Sequence, residues 1–214
     1  MYETLSTIQT KLPGTAVFGG MLRDFALGKI RSFDSDIDLV SHEPAQEILA
    51  AIEIFQPTVN RFGGFRFVTG AHRFDIWSLL DTWAFSEHLI ECRCFEDILQ
   101  TTFFNLDAAL YNLSSRKLFL GRGYEDAALN RILDINLEAN PNPDKMVRRA
   151  ISMLLNENVG FSPKLCNFII KHAKSNDVFY LDNNIFEKIQ LHLFRTPDKV
   201  FRLVQASIFQ DDVY

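Results

Sequence analysis

The chain has 214 residues, of which 47% are hydrophobic, and its 27 acidic residues outnumber 22 Lys and Arg for a formal charge of −5. This length and composition can form a core and exclude a disordered chain. The acidic balance excludes a global positive field for nucleic acid, so any RNA contact must be local. The apolar runs fall short of the roughly 18 residues of a membrane span, and the three cysteines lack metal-ligand spacing. A soluble cytoplasmic protein with free thiols and no membrane partner is expected.

The front of the chain, residues 1–138, mixes short strand patterns with helical ones. The predicted strands are Thr15–Phe18, Ile37–Val40, Phe65–Thr69, Phe74–Ser78, Leu110–Leu113 and Lys117–Leu120. The predicted helices are Gly20–Leu27, Ala45–Phe55 and Glu125–Leu133. This mixture predicts an α/β (α+β) domain with a small mixed sheet flanked by helices.

The back of the chain, residues 139–214, is predicted to be an all-helical domain. A side-chain cap precedes a proline at three points, which is the usual sequence signal for the start of a helix. These pairs are Asn142-Pro143, Ser162-Pro163 and Thr196-Pro197. At least three helices are therefore expected after the domain boundary.

A glycine turn followed by paired carboxylates carries most of the chemical information. A strand that runs into Gly19-Gly20 and then a helix lets backbone N–H groups approach a triphosphate closely. Asp36 and Asp38 are two apart in a strand, so both carboxylates project to one side while Ile37 packs into the core. Such carboxylates repel unless cations neutralise them, which fits Mg²⁺ (or Mn²⁺) and two-metal phosphoryl or nucleotidyl transfer. The alternative is an acidic edge strand or turn.

Three further charged residues have two interpretations each. Asp75 alternates in strand fashion and is a candidate third carboxylate, or else a half-buried charge paired with Arg66 or Arg73. Arg23 and Asp24 are candidate nucleotide-binding residues, or else an acidic residue in the first turn of a helix with a neighbouring base. The residue pattern leaves both pairs of alternatives open.

The motif formed by Gly19-Gly20-Met-Leu-Arg23-Asp24-Phe-Ala-Leu-Gly28 and then Asp36-Ile-Asp38-Leu resembles the head domain of bacterial poly(A) polymerases and class II tRNA CCA-adding enzymes. The resemblance implies a nucleotidyltransferase head followed by a helical neck. It also implies that the Gly-Gly turn and the arginine bind the triphosphate of an NTP, while the paired aspartates hold the metal ions. Asp75 is a weaker match to a further acidic strand residue of such heads.

The resemblance extends over nearly the whole chain, with two departures. The segment 121–126 resembles the turn that closes the head, and Pro143–Leu155 resembles the first neck helix. Where the family has Arg-Arg-Asp-Phe-Thr-Ile-Asn-Ala, residues 101–108 read Thr-Thr-Phe-Phe-Asn-Leu-Asp-Ala. Where CCA-adding enzymes have the base-reading Glu-Asp-x-x-Arg, residues 142–146 read Asn-Pro-Asp-Lys-Met, and Asp144 with Arg148 or Arg149 is the candidate substitute.

The sequence therefore predicts a metal-dependent nucleotidyltransferase that transfers NMP from an NTP to an acceptor hydroxyl, with RNA or a tRNA-like 3′ end as the expected acceptor. Local basic patches are the candidate RNA contacts, and solvated faces are the alternative. The patches are Arg61/Arg66/Arg73, Arg116/Lys117/Arg122 and Lys145/Arg148/Arg149. The alternative functions are a non-catalytic nucleotide-sensing or protein-binding relative, and a toxin or defence enzyme that nucleotidylates protein or tRNA.

Overall fold

The computed structural model describes residues 1–29, 35–157 and 159–172. It divides the chain into two compact units. The first unit comprises Met1–Leu129 with Asn136–Ala139, and the second comprises Asn130–Ile135 with the chain from Asn140 onward. The predicted domain boundary after residue 138 stays a prediction. Among the described residues, no helix combines the length and the apolar composition needed to cross a membrane.

The first unit is a sheet with short helices on its faces. Its helices are α1 (Tyr2–Lys11), α2 (Gly20–Ala26), α3 (Ala45–Ile52), α4 (Trp83–Ser86) and α5 (Tyr124–Asn130, whose last residue falls in the second unit). Its strands are β1 (Thr15–Phe18), β2 (Ile37–Ser41), β3 (Thr58–Val59), β4 (Phe65–Thr69), β5 (His72–Ser78), β6 (Ala109–Asn112) and β7 (Leu118–Leu120). Short 3₁₀ helices lie at Glu53–Phe55, Leu79–Asp81, Phe95–Gln100 and Asn105–Asp107.

Within the described residues the sheet has seven strands in the order β3-β4-β5-β2-β1-β6-β7. β2 and β5 run parallel, whereas the other neighbouring strands pair antiparallel. The mixed α/β fold with a mixed sheet is thus confirmed. In the antiparallel β1–β2 pair, Phe18 lies opposite Asp38, so the chain leaves β1 at the end of the sheet where β2 begins.

The alternation of side chains along the strands builds a core on each face of the sheet. On one face, Ile37, Leu39 and Phe74 are fully buried under the helices together with Ile8 and Ile48. On the other face, a second cluster forms beneath the segment from Leu79 to Leu99; its buried members are Ala16, Phe18, Val40, Leu79, Phe85, Phe95, Ile98, Leu99 and Leu110. The polar ends of β2, β4 and β5 emerge beside this second core.

The described part of the second unit contains β8 (Ile132–Leu133), α6 (Pro143–Glu157), β9 (Gly160–Phe161) and α7 (Pro163–His172). Both helices begin at the predicted prolines, and the Ser162 hydroxyl accepts a hydrogen bond from the Leu165 N–H at 3.1 Å as an N-cap. The short parallel pair β8–β9 was not predicted. The third predicted helix start, Thr196-Pro197, lies outside the described residues.

The prediction of a helix over Glu125–Leu133 was wrong at its end. Helix α5 stops at Asn130 because Arg131 takes a left-handed conformation with φ 54°. Such a residue commonly terminates an α-helix. The next two residues, Ile132 and Leu133, then pair as β8.

Candidate active site

A row of carboxylates lies at the start of β2 and in the adjacent β5. Asp38 and Asp75 are direct Cα partners in the parallel β2–β5 pair, so their side chains share one face of the sheet. Ile37, between the two predicted metal ligands, is completely buried on the opposite face, as the alternation predicted. Asp36 directly precedes β2 and is partly exposed. The fold thus brings all three predicted carboxylates together.

Two arginines pair with these carboxylates. Arg66, the Cα partner of Asp75 in β4, donates from Nε to Oδ1 at 2.9 Å and from Nη2 to Oδ2 at 2.6 Å. Arg73 donates from Nε to Oδ1 of Asp36, whose other oxygen lies 3.7 Å from Arg66 Nη2. The hydrogen bond and the charge of Asp75 raise the pKa of Arg66 above its usual value. The predicted ion pair of Asp75 with Arg66 is therefore confirmed, while the catalytic role of Asp75 stays a prediction.

The chemistry of this donor set suits a divalent cation. Carboxylate oxygens are hard ligands of the kind that Mg²⁺ and Mn²⁺ prefer. The guanidinium groups of Arg66 and Arg73 converge on these carboxylates and supply positive charge there, as a bound cation would. In the described ranges, the side chains of His, Cys, Asp and Glu form no group of three or more arranged to hold a metal ion. The assignment of Asp36 and Asp38 as metal ligands stays a prediction.

The predicted glycine turn connects β1 to α2 beside these carboxylates. Gly19 has φ +74°, a left-handed conformation that side chains rarely adopt. Its N–H donates to the Ala109 carbonyl at 3.0 Å, which fixes the turn against β6. A Cβ on Gly19 would lie 3.8 Å from the Asp107 carbonyl oxygen. The turn therefore packs closely against the 3₁₀ turn Asn105–Asp107.

Arg23 is buried beneath this turn, and its guanidinium lies between two carboxylates. It donates to Asp24 Oδ1 from Nε at 3.0 Å and from Nη2 at 2.8 Å, and from Nη1 to Asp107 Oδ1 at 2.6 Å. The side chains of all three residues are about nine-tenths buried, with 8%, 12% and 9% exposed. The alternative placement of Asp24 in the first turn of the helix was wrong, because α2 begins at Gly20. Phosphate binding by Arg23 and Asp24 stays a prediction.

Asp107 is a member of this cluster that sequence reasoning missed. It occupies the position of the asparagine in the family stretch aligned with residues 101–108, and that replacement was the available signal. The neighbouring Tyr124 at the start of α5 is buried, and burial, followed by the charge of Asp107, raises its pKa to about 12. Asp107 and Tyr124 thus extend the cluster around Arg23 into a buried polar site.

The positions that replace the family's Arg-Arg-Asp are largely inside the core. Thr101 is partly exposed, whereas Thr102 and Phe103 are 8% and 7% exposed. The next residue, Phe104, which matches the family's phenylalanine, is fully buried. The Thr102 hydroxyl donates to the Phe104 carbonyl at 3.0 Å. This segment therefore packs the first unit and presents no charged side chain. In the second unit, Arg148 and Arg149 are exposed on α6.

Neither a protein-family model nor a curated protein matches the chain. Its fold, however, is that of tRNA nucleotidyltransferases of the CCA-adding type. A Thermotoga maritima CCA-adding enzyme complexed with tRNA aligns with TM-score 0.64 at 15% identity, covering 100% of this chain and 52% of that one. A tRNA nucleotidyltransferase complexed with a primer tRNA and an incoming ATP analog aligns with TM-score 0.61 at 18% identity, covering 98% of this chain and 64% of that one. A Bacillus stearothermophilus CCA-adding enzyme in complex with CTP aligns with TM-score 0.56 at 18% identity, covering 91% of this chain and 49% of that one.

These likenesses establish the fold, and the chain spans about half to two thirds of the length of the three structures. The carboxylate row and the glycine turn are features of this chain's own geometry. They lie at one end of a sheet whose fold is found in enzymes that were solved with nucleotides and tRNA.

Proposed function

We propose that this protein is a metal-dependent nucleotidyltransferase that transfers NMP from an NTP to an acceptor hydroxyl, with the 3′ end of a tRNA-like RNA as acceptor. The observation that carries the proposal is the register of β2 and β5, which sets Asp38 directly beside Asp75 on one face. Asp36 adjoins this pair. The Gly19-Gly20 turn directly follows β1, whose last residue, Phe18, lies opposite Asp38. The shared fold of CCA-adding enzymes supports the same reaction class.

Each part of the site has a role in this reaction. Asp36 and Asp38, with Asp75 beside them, would hold Mg²⁺ or Mn²⁺, which when bound supplies charge neutralisation at the α-phosphate and activation of the attacking hydroxyl. The Gly19-Gly20 turn gives phosphates access to backbone N–H groups, because no Cβ stands in the way. The acceptor oxygen bonds to the α-phosphorus, the bond to the bridging oxygen breaks, and pyrophosphate leaves while the hydroxyl proton passes to solvent.

RNA as the acceptor is supported by the solved neighbours, two of which were determined with tRNA. Because the chain carries a net charge of −5, the RNA must meet local basic groups. Arg116, Lys117 and Arg122 form one such group, and all three are exposed around the β6–β7 turn and the start of α5.

Transfer of label from α-³²P NTPs tests the proposal. The purified protein is incubated with Mg²⁺, each NTP, and a mixture of total RNA and cell extract. We expect the wild type to label an RNA, and Asp36→Asn/Asp38→Asn to reduce the label by at least about a hundredfold, since the groups that stabilise transition-state charge are lost. Asp81→Asn, which changes an exposed aspartate of the same unit, is the matched control. Label that persists undiminished in the double variant would contradict the assignment.

A non-catalytic nucleotide sensor is the second candidate, because carboxylates of the predicted metal site are neutralised by arginines without a metal ion. Arg23 is held by Asp24 and Asp107, and Arg66 and Arg73 pair with the predicted metal-binding row. NTP binding without transfer of label to any RNA, protein or small molecule would select this function.

A further inference from the structure

The arginine that the sequence motif assigns to phosphate binding is engaged elsewhere. Arg23 makes three hydrogen bonds to Asp24 and Asp107, and its side chain is only 8% exposed. A methyl group on Gly20 would lie 3.6 Å from its Nη2, so the guanidinium is folded beneath the turn. A phosphate that reached this guanidinium would also meet two carboxylates. The cluster therefore supports the turn instead of attracting an anion.

Two other arginines lie on the sheet face of the carboxylate row. Residues opposite each other in a sheet share a face, and Arg66 is opposite Asp75, which is opposite Asp38. Arg73 precedes Asp75 by two residues in β5, so it points to the same side. Their side chains are 52% and 59% exposed, in contrast to Arg23. Both guanidiniums are therefore accessible to a ligand that approaches the row.

We propose that Arg66 and Arg73 bind the triphosphate of the NTP, and that Arg23 is a positioning residue that holds the Gly19-Gly20 turn. This inference rests on the proposed function. The positive charge that binds phosphate is then supplied by β4 and β5, on the opposite side of the carboxylate row from α2.

The present ion pairs do not oppose such a role. The exposed Arg73–Asp36 pair contributes little free energy, because water and salt screen it. Arg66 binds Asp75 through Nε and Nη2, which leaves Nη1 outside that pair. Asp36 and Asp38 would hold a divalent cation, and sharing the Asp36 oxygens with that cation would free N–H groups of Arg73 for phosphate. Arginine matches phosphate oxygens with paired donors. Cation binding and triphosphate binding are therefore coupled through the exchange of these ion pairs.

Calorimetric titration with inorganic tripolyphosphate, and separately with ATP, tests the proposal on the full chain in the presence of Mg²⁺. We expect Arg66→Gln/Arg73→Gln to lower the affinity for both ligands by at least about tenfold, the usual effect of losing charge-assisted hydrogen bonds. Arg93→Gln is the matched control, because Arg93 is also exposed and ion-paired but lies outside the row. The affinity of the Arg93→Gln variant for tripolyphosphate and ATP should stay within about twofold of the wild-type value, because Arg93 would touch neither ligand.

A second variant separates ligand binding from a structural effect. Asp36→Asn/Asp75→Asn removes the charges that now hold the arginines, so tripolyphosphate should bind several-fold more tightly than to the wild type without Mg²⁺. The gain should vanish when Arg66→Gln/Arg73→Gln is added. Wild-type affinity in the arginine double variant would overturn the inference and leave the proposed function standing. If the wild type binds neither ATP nor tripolyphosphate, the proposed function fails together with the inference.

Discussion

Replacing Arg23 by glutamine distinguishes a structural from a ligand-binding arginine. The guanidinium stands between two carboxylates that are 12% and 9% exposed, at 2.8 Å from Asp24 and 2.6 Å from Asp107. Glutamine leaves these two buried negative charges without the guanidinium between them. Removing one partner of a buried ion pair typically costs about 3–5 kcal/mol of unfolding free energy. Since a domain is stable by about 5–15 kcal/mol, this loss is large.

Urea unfolding followed by tryptophan fluorescence measures this loss. Both tryptophans, Trp77 and Trp83, belong to the first unit and so report on the unit that contains Arg23. A loss of this size lowers the urea midpoint by about 1–3 M, given usual denaturant slopes. Arg73→Gln, which removes a pair whose side chains are 59% and 32% exposed, should change the unfolding free energy by less than about 1 kcal/mol.

A charge-free replacement provides the internal check. Arg23→Met combined with Asp24→Asn and Asp107→Asn removes the whole cluster of charges and should recover most of the lost stability, because a buried ion cluster and a neutral one of similar volume are often equally stable. The structural role of Arg23 would be refuted if Arg23→Gln left the urea midpoint unchanged and abolished NTP binding.

Two further predictions concern titratable groups. The pKa of Tyr124 is raised to about 12 by burial and then by Asp107, above its ordinary 10.0, so the neutral phenol stabilises the fold fully below pH 10 and this stabilisation is lost as pH rises toward 12. Urea midpoints at about pH 9 and about pH 11 should therefore fall more in wild type than in Tyr124→Phe; equal falls would exclude Tyr124 as the cause. Desolvation raises the pKa of both the Cys94 and the Cys166 thiols, that of Cys166 to about 11, but Cys94 is exposed whereas Cys166 is buried. In native protein, Ellman's reagent should label Cys94 at least about a hundredfold faster than Cys166, because thiolate fraction and access control the rate. Mass spectrometry of the labelled protein measures the two rates. Equal rates would show that α7 opens and exposes Cys166.

The sequence predicted the strands of the site well because their patterns are local. Period-two alternation placed Ile37 in the core and the carboxylates of Asp36 and Asp38 outside it, which agrees with the structure. The same alternation placed Asp75 in a neighbouring strand. The shared face with Asp38 follows from the β2–β5 register, and the ion pair with Arg66 follows from the β4–β5 register.

The contacts that the sequence did not predict are long-range or depend on one backbone conformation. Asp107 is 84 residues from Arg23, and only the packing of the Asn105–Asp107 turn against α2 brings them together. No local pattern marks such a pair. The end of α5 likewise depends on the positive φ of Arg131, a residue type that gives no signal for that conformation.

The separation of β2 and β5 along the chain also favours an order in which the charges of the site meet. β4 and β5 form a tight hairpin through Gly70, whose φ of +58° suits such a turn, so Arg66 and Asp75 are close along the chain. Asp38 lies beside them through the pairing of β2 with β5, a contact between more distant parts of the chain that closes a larger loop. We therefore expect Asp75 to pair with Arg66 before Asp38 reaches it, and this pair would offset part of the repulsion between the two carboxylates.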